Sequence, residues 1–93
     1  MSALLYRRKP LTFSVIRWDS DPATQKAVEA WLRESKQTGR VDGRTGTLDF
    51  ILAERSAYCA PGDYLVRGID DEVYPVLARR FAQLYEAAPA APA

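Results

Sequence analysis

The sequence predicts an α+β domain. The expected architecture is a small, mostly antiparallel sheet of about five strands in the order β-α-β-β-β-β-α, with one long helix on a face and a short C-terminal helix. Three observations carry this. An amphipathic helical stripe, Ala27, Val28, Trp31 and Leu32, follows a strong helix start. Short alternating runs rich in β-formers follow it, separated by turn signals. Pro61 to Pro75 then holds a turn, a strand, a second turn and a second strand in one stretch.

Leu4 to Trp18 reads as extended chain. Thr12, Phe13, Val15, Ile16 and Trp18 are strand formers, with Phe13, Val15 and Arg17 on one face and Ser14, Ile16 and Trp18 on the other. Pro10 suits the strand's first position, where a missing N–H costs least. In Ser20-Asp21-Pro22, Asp21 can cap and Pro22 fits the first helical position with φ already set. The helix is expected to fade near Lys36. Gln37 to Gly46 holds Gly39, Gly43 and Gly46. Asp42-Gly43 is a hairpin-type signal, but its flanks are polar for strands, so this segment is expected as a mobile loop.

Leu48, Phe50 and Leu52 alternate with Thr47, Asp49 and Ile51. Glu54-Arg55-Ser56 is expected to turn the chain into a short strand, Ala57-Tyr58-Cys59. Pro61-Gly62 makes the next turn, and Tyr64 to Val66 the next strand. Gly68 to Glu72 reverses the chain into Val73 and Tyr74. Leu77 to Glu86 reads as a short helix with Leu77, Phe81, Leu84 and Tyr85 on its apolar face. Residues 1–86 thus form one domain, and Ala87 to Ala93, only Ala and Pro, a disordered tail.

Composition excludes more than it assigns. A chain of 93 residues with 47% apolar and 27% charged side chains is ordinary for one globular domain. A net charge of +1 gives no global pull toward nucleic acid or anionic membrane. The single cysteine rules out an internal disulfide, and the absence of histidine rules out Ser-His-Asp and Cys-His catalysis within one chain. No apolar run approaches the length of a bilayer span, and no secretory h-region is present, so a cytoplasmic location is expected.

Several motifs have a functional and a plainer reading. Asp63 after Pro-Gly is either a ligand-facing carboxylate or a turn cap. Tyr58, Tyr64 and Tyr74 are either a platform for a base or a partner, or core and edge filling with wet hydroxyls. Arg7-Arg8-Lys9 either binds phosphates or is a solvated, protective edge. Cys59, between apolar neighbours, reads as buried filling. Asp70-Asp71-Glu72 lacks the spaced oxygens of a known calcium loop and reads as a solvated hairpin tip.

One resemblance spans nearly the whole chain. Tyr6-Arg7-Arg8-Lys9-Pro10, Trp18, Pro61-Gly62-Asp63-Tyr64-Leu65-Val66-Arg67-Gly68, Glu72-Val73-Tyr74-Pro75, Phe81 and Tyr85-Glu86 occur in that order. The pattern resembles a family of small phage and prophage proteins of undetermined function. That family usually continues after Tyr-Pro with Cys-Lys-Pro-Asp, whereas this chain has Val76-Leu77-Ala78-Arg79. The resemblance implies a phage or prophage origin and a stand-alone accessory domain, and it carries over no catalytic residues.

The resulting expectation is a non-enzymatic accessory binding protein that occupies a host protein, a defence complex or a signalling nucleotide, in a counter-defence or host-takeover role. Its contact residues are expected to be Tyr58, Tyr64, Arg67 and Tyr74, with electrostatic help from Arg7 and Arg8. No cofactor, metal or membrane is called for, and a homodimer is open through free sheet edges. The alternatives are a small nucleic-acid-binding module and, behind it, a carboxylate-based enzyme.

Overall fold

The computed structural model describes residues 3–6, 11–19 and 21–88. Its elements are β1 (Ser14–Arg17), α1 (Pro22–Glu34), β2 (Gly39–Val41), β3 (Leu48–Leu52), β4 (Arg55–Cys59), β5 (Tyr64–Arg67), β6 (Val73–Val76) and α2 (Ala78–Leu84). The α+β class holds. The single sheet of five strands does not: the strands form two antiparallel sheets of three, β1-β5-β6 and β2-β3-β4. The expected contributors Arg7 and Arg8, together with Lys9, Pro10, Ser20 and residues 89–93 of the tail, lie outside the described residues.

The sheets stay separate for a chemical reason. Gly68 N–H bonds to the Glu72 carbonyl, which sets the antiparallel alternation of the β5–β6 pair. Val73 and Pro75 therefore turn their main-chain groups away from β5. Pro75 has no N–H to offer on that edge. The Val73 groups are taken by the Gln37 side chain: its Oε1 accepts from Val73 N–H at 2.8 Å, and its Nε2 donates to the Val73 carbonyl at 2.9 Å. Gln37 Nε2 also lies 2.9 Å from the Ile51 carbonyl in β3, and Ser35 Oγ donates to Gln37 Oε1. One side-chain amide thus closes the edge of β6 and ties it to the other sheet.

The sixth strand lies within the segment expected to be a loop. Gly39 permits it. A Cβ there would sit 2.5 Å from Leu32 Cδ1 and 3.3 Å from Phe50 Cβ, so any side chain at this position would have to displace the Leu32 tip and press on Phe50. The β2–β3 connection is closed by Asp42 N–H to the Thr47 carbonyl, by an Asp42 side-chain turn onto Arg44 N–H, and by Gly46 at φ +75°. The Trp18 indole N–H then bonds the Gly46 carbonyl at 2.8 Å. The expected mobile loop is a hairpin fastened to a core residue.

Helix α1 begins as expected. Asp21 Oδ2 accepts from Ala23 N–H, and Pro22 occupies the first turn. It ends in a Schellman arrangement, with Gln37 N–H on the Leu32 carbonyl and Lys36 N–H on that of Arg33. Lys36 fills the left-handed position at φ 59°. Val28 and Leu32 are buried and meet Trp18, Leu48, Phe50, Cys59, Leu65 and Val73 in one core shared by both sheets.

Three tight turns set the remaining registers. Ala60 carbonyl to Asp63 N–H, with Pro61 and Gly62 between and Gly62 at φ +97°, is a type II turn. Gly68 to Asp71 closes the β5–β6 hairpin with Asp71 at φ 64°. Between β3 and β4 the turn is Ala53-Glu54, at φ 51° and 66°, one step earlier than the expected Glu54-Arg55-Ser56.

Candidate functional site

Strand alternation gives the β1-β5-β6 sheet two unlike faces. Ile16, Leu65 and Val73 point toward the core and α1. Val15, Val66 and Tyr74 are cross-strand partners on the outer face, and Tyr64 stands two residues from Val66 on that same face. Phe13 extends this outer row by the same period.

Helix α2 lies across that face. Phe81 stacks on Tyr64 with centroids 3.8 Å apart and planes 10° apart. Tyr85, one turn on, stacks on Phe81 at 5.0 Å and meets Phe13 edge-on at 6.1 Å. The Tyr74 and Tyr85 hydroxyls are 3.2 Å apart. Asp63 fixes the start of the helix, because its Oδ1 accepts from Ala78 N–H at 2.9 Å where the Leu77 cap has no side-chain acceptor. The carboxylate considered as a ligand contact or a cap of its own turn instead holds another element in place.

Helix α2 does not cover the whole face. A groove of about 730 Å³ remains, lined by Leu11, Phe13, Tyr74, Leu84, Tyr85 and Glu86 among others. That volume is within the roughly 300–1,000 Å³ typical of small-ligand pockets. Its walls are mostly apolar, and its polar side chains are the paired phenols, Thr12 and Glu86. Tyr74 is pushed up to about 12, first by burial and then by its bond to Tyr85 and the nearby charge of Asp70. It is therefore a neutral hydrogen-bonding phenol across the ordinary pH range and not a base.

The sequence-predicted contact residues do not gather. Tyr64 and Tyr74 share the outer face, although Tyr64 is stacked beneath Phe81. Tyr58 stands alone on the outer face of the other sheet, opposite Asp49 and 62% exposed. Arg67 points to the core side. Its Nη2 is 2.8 Å from Glu34 Oε2, its Nε 3.5 Å from Asp71 Oδ1, and its guanidinium lies 5.9 Å from the centre of the Trp31 ring. It joins the end of α1 to the β5–β6 turn. Asp71 serves that pair, and Asp70 Oδ1 accepts from Glu72 N–H, so these carboxylates shape the hairpin tip. No group of metal-binding side chains occurs among the described residues.

Cys59 is buried, with Sγ 3.7 Å from the Tyr64 carbonyl. Burial, with help from Asp63, pushes its thiol up to about 12, which leaves no thiolate for nucleophilic chemistry. No helix among the described residues is long and apolar enough to cross a membrane.

As site residues, Phe13, Phe81 and Tyr85 were missed by the sequence reading. The available signal was the shared parity of Phe13, Val15, Tyr64, Val66 and Tyr74, joined to the one-turn spacing of Phe81 and Tyr85. Compared with known protein families, curated proteins and solved structures, the chain shows no match.

Proposed function

We propose that this chain is a non-enzymatic binding protein that occupies a partner protein through the outer-face groove. The carrying observation is the groove itself: about 730 Å³, walled by Leu11, Phe13, Leu84 and Tyr85 and floored in part by Tyr74. Aromatic and leucine walls with a few fixed polar groups suit an apolar segment of another protein. A signalling nucleotide fits less well. Its phosphates call for cations or clustered donors, and Glu86 is the one charged side chain among the described lining residues.

The chemistry of the neighbouring groups supports binding over catalysis. Tyr74 is held protonated, Asp63 is engaged by α2, and Cys59 is a buried thiol. Nucleic acid is disfavoured by the net charge of +1 and by the engagement of Arg67 with Glu34. The resemblance to phage and prophage accessory proteins suggests a host or defence protein in the bacterial cytoplasm as the partner.

Site-specific photo-crosslinking in bacterial cells tests this. A crosslinking side chain at Leu84, which is 64% exposed on the groove wall, is expected to trap a discrete host protein. The same group at Tyr58 is expected not to trap it. Equal trapping at both positions would sink the groove reading. So would a purified protein that retains a nucleotide in native mass spectrometry while trapping no protein.

A further inference from the structure

The most exposed apolar stretch among the described residues is the N-terminal arm. Leu4, Leu5 and Tyr6 are 75%, 99% and 88% exposed. Three consecutive apolar side chains in water are costly, and such a patch marks something that is covered in the working state. The same chain has an open groove walled by leucine and aromatic rings. Both surfaces are apolar, and seating one on the other takes both out of water.

The geometry points to a reciprocal dimer in which the Leu4-Leu5-Tyr6 arm of one copy seats in the outer-face groove of a second copy. This rests on reading the groove as a binding site, and it names the groove's resident occupant when no host partner is present. Residues 3–6 do not line their own groove. Four residues separate Tyr6 from Leu11 on the groove wall, and the last of them is Pro10.

Charge agrees with this arrangement. Arg7-Arg8-Lys9 follows the arm directly in sequence, and the groove wall carries Glu86. Strand β1, the first strand after the arm in sequence, is an edge of its sheet. A two-fold exchange places two arms in two grooves and closes, with no open-ended growth.

Sedimentation equilibrium on the full chain tests the arrangement with two variants at exposed positions, Leu4→Ser/Leu5→Ser on the arm and Leu84→Asp on the groove. Wild type is expected to be dimeric, and each variant to weaken the dimer about tenfold or more. Mixing the two variants is expected to restore association, since one intact arm then meets one intact groove. A peptide of residues 1–10 in excess is expected to dissociate the wild-type dimer. A wild type that stays monomeric, a dimer that survives both variants, or no recovery on mixing would overturn the exchange. Where the exchange is overturned, crosslinking from position 84 separates the two ideas: if the arm variant still traps the host protein there, the arm proposal alone has failed. If nothing is trapped, the groove reading has failed with it.

Discussion

The two sheets have three strands each and share one core, yet they end up in different surroundings. The β1-β5-β6 sheet lies between α1 and α2. The β2-β3-β4 sheet buries Leu48, Phe50 and Cys59 on one side and carries Arg40, Asp49, Ile51, Ser56 and Tyr58 on the other. The difference follows from what stands two residues away and across the ladder. Tyr64 has Val66 beside it and Phe81 above it. Tyr58 has Ser56 beside it and Asp49 opposite. A row of aromatic and β-branched neighbours recruits even a short helix, whereas a row broken by charge stays in water. The groove proposed for binding therefore lies on the covered sheet, at the place where its cover is incomplete.

The comparison breaks most sharply at Trp18, where the sheets meet. Its main chain continues the β1–β5 pairing through Trp18 N–H to the Asp63 carbonyl, and its indole reaches Gly46 in the β2–β3 loop. The side chain is fully buried. Trp18→Ala is expected to cost about 3–5 kcal/mol, a large part of the roughly 5–15 kcal/mol that holds a typical domain. Urea unfolding followed by tyrosine fluorescence and by far-UV circular dichroism should show both sheets lost in one transition. Loss of one sheet while the other persists would mean that the core does not couple them.

A smaller effect is expected at Asp63, which acts only on the cover of the first sheet. Asp63→Ala frees Ala78 N–H and loosens the start of α2, at a cost of about 0.5–2 kcal/mol by analogy with helix caps. Amide exchange should rise at Phe81 and Tyr85 and stay unchanged at Leu65 and Leu48. A uniform rise would show that the cover and the core are one cooperative unit and that the groove is no separable site.

The class and most elements were legible because their signals were local. Pro22 after Asp21, the Val28–Leu32 stripe and Pro61-Gly62 each determine geometry within a few residues. What escaped depends on pairing across distance. The split into two sheets turns on Pro75 at an edge and on Gln37 reaching Val73, 36 positions along the chain. Strand β2 was hidden because it is three residues long, its one polar side chain, Arg40, is exposed, and its close approach to α1 is made by Gly39. The groove was half legible: the parity of its aromatic residues was in the sequence, but their meeting depends on Asp63 holding α2 from 15 residues away. Tyr58 and Arg67 were grouped with Tyr64 and Tyr74 by type and proximity, and strand alternation sends them elsewhere.

The hairpin turns offer the finest distinction between the sheets. The β5–β6 turn puts Asp71 in the left-handed region, which Asp tolerates, and its carboxylate faces Arg67. The β3–β4 turn forces two residues with no such tolerance, Ala53 and Glu54, into positive φ. A type I′ turn favours Asn-Gly at these two positions. Ala53→Asn with Glu54→Gly is therefore expected to stabilise the protein by about 1 kcal/mol, which is a rise in the urea midpoint at unchanged slope. Asp71→Gly is expected to give less, because it relieves little strain and removes a partner of Arg67. A larger gain at Asp71 than at the Ala53-Glu54 pair would reverse this ranking and place the stored strain in the covered sheet.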